Sequence, residues 1–121
     1  MDAKIQHALT TDRTIDITTK GRKSGLPRRI EIWFFNLDGK IYITGSPGKR
    51  SWYANLLANP DFTFHLNGSI EADLPARARA ILDEAERRRV LRGIVDQLDG
   101  DRDLDTWVAE SPLVEVGFKE V

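Results

Sequence analysis

Arg29-Ile30-Glu31-Ile32-Trp33-Phe34-Phe35-Asn36-Leu37-Asp38-Gly39-Lys40-Ile41-Tyr42-Ile43-Thr44-Gly45 is the stretch that decides the fold. From Arg29 to Leu37 the side chains alternate, with Ile30, Ile32 and Phe34 on one face and Trp33, Phe35 and Leu37 on the other. Apolar residues on both faces predict a strand buried on both sides. Asp38-Gly39 reads as a two-residue hairpin turn, because both positions of such a turn need positive φ. It leads into a return strand over Lys40 to Gly45, where Ile41 and Ile43 alternate against Tyr42 and Thr44.

Working outward, Thr14 to Thr19 alternates with Ile15 and Ile17 on one face, and Ala3 to Leu9 fits a short helix. A helix over roughly Trp52 to Ala58 stops at Asn59-Pro60, since the residue before proline resists the α conformation. Asn67-Gly68 predicts a second hairpin, pairing Phe62 to Leu66 with Ser69 to Ala76. From about Ile81 to Leu98 a longer helix carries Leu91, Ile94, Val95 and Leu98 on one stripe, and the pairs Asp83/Arg87 and Glu84/Arg88 at i,i+4 on another. Leu113 to Phe118 reads as a closing strand. About six antiparallel strands with helical insertions give a small β-barrel, mainly β and of the α+β class, occupying residues 1–121 as a single domain.

At 121 residues the chain can bury roughly two-thirds of its unfolded surface. Its 18 Lys and Arg against 19 Asp and Glu leave a formal charge of −1, which gives no global attraction to nucleic acid. The absence of cysteine excludes disulfides, thiolate metal sites and a Cys nucleophile. No apolar run approaches a membrane span, and Met1-Asp2-Ala3-Lys4 leads into no signal-peptide core. These features predict a cytoplasmic protein with no stable membrane insertion.

Charge is concentrated locally. Thr18-Thr19-Lys20-Gly21-Arg22-Lys23-Ser24-Gly25-Leu26-Pro27-Arg28-Arg29 holds five cations and two glycines between two predicted strands. Glycines let backbone N–H groups turn toward an anion, and Arg and Lys supply donors that match phosphate oxygens. A second element, Gly45-Ser46-Pro47-Gly48-Lys49-Arg50-Ser51-Trp52, runs into the helix at Trp52, with Ser51 the expected N-cap. Helix N-termini bind anions through unpaired N–H groups. Two basic, glycine-containing turns in one small domain predict one small anionic ligand held from two sides.

Thr19-Lys20-Gly21-Arg22-Lys23-Ser24-Gly25, then Pro27-Arg28, then Asp38-Gly39, then Trp52-Tyr53-Ala54-Asn55-Leu56-Leu57-Ala58-Asn59-Pro60, resembles the deazaflavin-dependent nitroreductase family. The likeness continues through Ala78-Arg79 and Glu86-Arg87, so it covers most of the chain from Thr18 onward. It implies a split β-barrel that binds coenzyme F420, a deazaflavin with a phosphate and an oligoglutamate tail, and passes hydride from its reduced form to an electron-poor small molecule such as a quinone or nitro compound. By motif match, Arg22, Lys23, Ser24, Gly25 and Arg28 would hold phosphate and tail, while Ser46, Trp52 and Asn55 would line the rest of the site. Lys49 and Arg50 would replace a lysine usually found earlier in that turn. No side-chain nucleophile is expected, because the cofactor carries the reactive atom and the protein positions it. Split barrels often pair as homodimers, and no stretch of this chain marks an interface.

Two other readings stand beside this one: an FMN-dependent oxidoreductase of the same fold, and a non-enzymatic carrier or sensor that binds a flavin or deazaflavin. Two departures from the family pattern bear on the site. Glu31 stands where many members have proline, and a carboxylate near the ring would oppose an anionic reduced cofactor unless it faces away. The N-terminal arm is short.

Individual residues also have plainer roles. Arg28 and Arg29 are adjacent on a strand and should face opposite ways, so one of them meets a ligand at most. Trp52, Leu56 and Trp33 are most simply core. Asn55, a poor helix former in mid-helix, calls for a specific hydrogen bond. His7 and His65 stand apart from each other and from any acidic pair, which suits structural or exposed positions. Asp99 to Glu110 spaces its acids like a calcium loop but has Leu104 where that loop needs glycine. A helix C-cap at Gly100 followed by a capped acidic turn accounts for it, and no metal site is expected.

Overall fold

The computed structural model describes residues 1–119. Its elements in chain order are α1 (Ala3–Thr11), β1 (Thr14–Lys20), β2 (Pro27–Leu37), β3 (Lys40–Thr44), α2 (Ser51–Ala58), β4 (Asp61–Asn67), β5 (Glu71–Ala80), α3 (Glu84–Gln97), α4 (Leu104–Glu110) and β6 (Leu113–Phe118). The six strands close an antiparallel barrel in the order β1-β2-β3-β6-β5-β4, with β4 returning to β1. Closure removes free sheet edges, and helices make the two long connections, α2 between β3 and β4 and the α3–α4 pair between β5 and β6.

Strand alternation sorts side chains into two cores. Ile15, Ile17, Phe34, Ile41, Ile43, Phe64, Leu74 and Val114 fill the barrel interior, with Ala8 and Leu9 of α1 and Trp52 and Leu56 of α2 packed against them. On the outer face, Phe35, Tyr42 and Leu113 meet Val90, Leu91 and Ile94 of α3 and Trp107 and Val108 of α4. Asp38 (φ 53°) and Gly39 (φ 88°) form the predicted tight turn between β2 and β3. No helix among the described residues is long and apolar enough to cross a membrane.

Several expectations need correction. Only the C-terminal half of β2 is buried on both faces; toward its start, Ile30 is 37% and Trp33 46% exposed, so Trp33 is not core. Asn67-Gly68 is not a two-residue turn. Asn67 pairs with Glu71 across a loop of three residues, and a Cβ on Gly68 would come within 2.8 Å of an Asp12 carboxylate oxygen. Asp83 does not pair with Arg87; it caps α3 by accepting from the Glu86 N–H. The C-cap of α3 is Leu98 and not Gly100, and the acidic turn beyond it continues as a helix, α4, with Asp103 as its cap. His65, by contrast, takes one of the two positions expected of it, a structural one, buried with Nδ1 2.6 Å from Asp73 Oδ1 and Nε2 2.7 Å from Thr18 Oγ1.

Candidate functional site

The basic loop and the start of α2 meet around a cavity of about 540 Å³, lined by Thr19, Gly21, Arg22, Lys23, Ser24, Arg28, Ile30, Ser51, Trp52 and Asn55. That volume falls within the range of small-molecule sites, roughly 300–1,000 Å³. Its walls come from the end of β1, the loop that follows it, the start of β2 and the first turns of α2.

The loop holds itself in shape. Gly21 N–H donates to the Leu26 carbonyl (2.8 Å), Gly25 N–H to the Gly21 carbonyl (2.8 Å), and Leu26 N–H to Ser24 Oγ (3.1 Å). A Cβ at Gly21 would lie 2.6 Å from Ser24 Oγ and 3.2 Å from the Leu26 carbonyl oxygen, so a side chain there would displace the Ser24 hydroxyl that holds the loop. Gly25 has φ +71°, in the left-handed region that glycine adopts at no steric cost.

Asn55 joins loop to helix. Its Oδ1 accepts from Arg22 N–H (3.1 Å) and from the Arg22 guanidinium (3.0 Å), and its Nδ2 donates to Thr19 Oγ1 (3.2 Å). Asn55 is 4% and Thr19 2% exposed, so the bond between them is shielded from competing water, while the two to the exposed Arg22 are half-buried. The hydrogen bond that a mid-helix Asn called for is therefore made to the loop itself, and Asn55 positions Arg22.

The cations divide clearly. Arg29 turns to the opposite face of β2 and binds Asp16 at 2.8 Å, holding that carboxyl below the usual carboxylate range. Lys23 and Arg28 have no carboxylate partner within 4.0 Å among the described residues, and both line the cavity. Glu31, exposed and next to Arg29 in the alternation, lies on the side away from Arg28 and Ile30. At the other wall, Arg50 rather than Ser51 occupies the N-cap of α2, with no side-chain cap bond. The first-turn N–H groups beside Ser51 and Trp52 are left available to an anion.

Of the residues singled out from sequence, Arg22, Lys23, Ser24, Arg28, Trp52 and Asn55 come together here. Gly25 faces a neighbouring cavity with Lys20. Ser46, Lys49 and Arg50 lie outside: the Arg50 guanidinium bonds the Lys49 and Ser46 carbonyls (3.0 and 3.1 Å), and Lys49 lines a separate cavity by α4. Sequence reading passed over Thr19, Gly21, Ile30 and Ser51 as lining residues. Ile30 could have been found, since it shares a strand face with Arg28.

This arrangement offers donors for a phosphate, an apolar wall from Ile30 and Trp52 for a flat ring, and no nucleophile–base pair. A family model described as F420H(2)-dependent quinone reductase matches residues 1–114. A solved structure of an F420-H2 dependent reductase is 25% identical, with TM-score 0.59, covering 88% of this chain and 95% of that one. A solved domain-swapped dimer is also 25% identical, with TM-score 0.59, covering 88% of this chain and 81% of that one. The conserved hypothetical protein Rv2991 from Mycobacterium tuberculosis, 19% identical with TM-score 0.78 over 99% of this chain and 81% of its own, shares the fold. The split barrel and the deazaflavin chemistry expected from the motifs are thus both found, and the chain belongs to the F420H(2)-dependent quinone reductase family, as an oxidoreductase with coenzyme F420 as its cofactor.

Proposed function

We propose that the cavity between the Gly21–Leu26 loop and α2 holds the cofactor, with its phosphate against Lys23, Arg28 and the start of α2. The observation that carries this reading is the convergence of two carboxylate-free cations and an uncapped helix N-terminus on one cavity. Bound there, the reduced deazaflavin supplies a hydride. The protein's part is to bind and orient: Asn55 fixes Arg22, Ser24 fixes the loop, and Ile30 and Trp52 give the ring an apolar surface. Glu31 on the far side of β2 keeps its negative charge away from that surface.

The acceptor is a small molecule, and we assign it to the quinone-like or nitroaromatic class. Ile30 at 37% and Leu26 at 60% exposure supply apolar surface at the cavity and on the adjoining loop, which suits a flat, electron-poor ring. The protein works in the cytoplasm in this reading, and as a homodimer, which the solved domain-swapped dimer supports. Sedimentation equilibrium giving a monomer at all concentrations would remove the homodimer from the account. Steady-state oxidation of F420H2 by menadione and by a nitroimidazole tests the activity. Binding without turnover of either would leave a carrier in place of an enzyme, and tighter binding of FMN than of F420 would reassign the cavity.

A further inference from the structure

A second cavity, of about 500 Å³, lies where the Gly45–Ser51 turn meets the end of α4, lined by Lys49, Tyr53, Leu82, Arg87, Glu110 and Ser111 among others. Its wall contains Arg87, only 8% exposed, whose guanidinium donates to the carbonyls of Val108 (2.8 Å), Ile81 (2.9 Å) and Ser111 (2.6 Å). Those bonds, with a longer one to the Trp107 carbonyl (3.5 Å), tie α3 to α4 and occupy most of the guanidinium's donors, but no carboxylate lies within 4.0 Å of it among the described residues. Buried cations are normally paired with an anion. Ser111, 4% exposed, adds a second unmet demand: among the described residues its Oγ is the buried side-chain polar atom without a hydrogen-bond partner.

At the mouth, Lys49 is exposed and also has no carboxylate within 4.0 Å, while Leu82 presents an apolar side chain at 73% exposure. Glu110 contributes the one negative charge of the lining, against two positive ones. The local surplus is a single positive charge, which fits a monoanion better than a phosphate dianion. Apolar surface from Leu82, Pro112 and the Tyr53 ring suits the remainder of such a ligand.

We propose that this cavity is a second binding site, separate from the cofactor's, for a small monocarboxylate with an apolar body, whose carboxylate lies between Lys49 and Arg87 within reach of Ser111. Gly48 N–H donates to the Glu110 carbonyl (3.1 Å), so the turn that carries Lys49 is anchored to the end of α4 and the site is held together across the two elements.

The test is an NMR titration of the full ¹⁵N-labelled chain with benzoate, and with benzyl alcohol as its neutral analogue. Benzoate should give saturable shifts at residues 48–53 and 109–111, with a dissociation constant on the order of millimolar as expected for so small a ligand. Benzyl alcohol should bind at least about tenfold more weakly, because it lacks the charge-assisted bonds. Lys49→Glu should abolish the shifts without changing the melting temperature. Ser111→Ala should leave the fold as stable, since it removes a hydroxyl with no partner, and weaken benzoate about threefold. Equal response to the two probes, or an undiminished response in Lys49→Glu, would overturn the proposal. Displacement of benzoate by F420 would overturn the separateness of the site while leaving the cofactor assignment intact.

Discussion

Phe34 and Ile30 stand four residues apart on one face of β2, yet Phe34 is 3% exposed and Ile30 37%; on the opposite face Phe35 is 5% and Trp33 46% exposed. The alternation is the same along the strand, so the difference comes from what each half meets. The C-terminal half lies between the barrel interior and the α3–α4 pair. The N-terminal half runs past the end of the packed interior into the basic loop, where Arg28 and Ile30 line the cavity. One half of the strand holds the fold together, and the other presents side chains to a ligand.

The largest effect should come from the covered half. Phe34→Ala removes a ring that packs edge-on against Phe64 at 5.5 Å between centroids, and should cost about 3–5 kcal/mol in a urea melt. Next, Asn55→Ala should cost about 1–3 kcal/mol of stability, because Thr19 loses its buried partner. The same change should weaken cofactor binding about tenfold by freeing Arg22. Asn55→Asp keeps the acceptor for Arg22 and should retain more affinity than the alanine variant; equal loss in both would show that Arg22 positioning is not what Asn55 provides. Ile30→Ala should be the mildest of the three on stability, about 0.5 kcal/mol, while raising KM for cofactor or acceptor. If Ile30→Ala destabilised as much as Phe34→Ala, the contrast between the two halves of β2 would collapse.

A smaller effect concerns acid. Glu86 is held below the usual carboxylate range by the Arg79 guanidinium, which also binds Glu115 (2.7 Å) over the covered face. A folded-state pKa below the unfolded one contributes stability that is present above about pH 4.3 and lost as pH falls through the lower, folded value. Arg79→Ala should therefore reduce stability near neutral pH and flatten its decline below about pH 4. An unchanged acid slope in thermal melts between pH 2 and 5 would show that the pair contributes nothing measurable.

How much could be read in advance depended on how local each cause was. The Asp38-Gly39 turn and the alternating strands follow from neighbouring residues, and were legible. Gly68 looked like a tight turn because its Asn-Gly signature is local, whereas the three-residue loop is held by Asp12, which donates no local pattern but accepts from Ser69 N–H at 3.3 Å. Arg87 read as a solvated partner of Asp83, and its burial depends on carbonyls at the α3–α4 corner more than twenty residues away. In the site, the cations and Asn55 were legible as chemistry. That Lys49 and Arg50 leave the cavity was not, since Arg50 is claimed by the Ser46 carbonyl and the conformation of that turn follows from it.

The claim on which the functional account rests is that Lys23 and Arg28 bind the cofactor, and fluorescence titration with F420 of the native chain and of a Lys23→Ala/Arg28→Ala variant tests it most directly. Each lost charge-assisted bond should weaken binding by about 1–3 kcal/mol, so the double variant should bind at least about thirtyfold more weakly with its melting temperature unchanged. Equal affinity in the two proteins would contradict it.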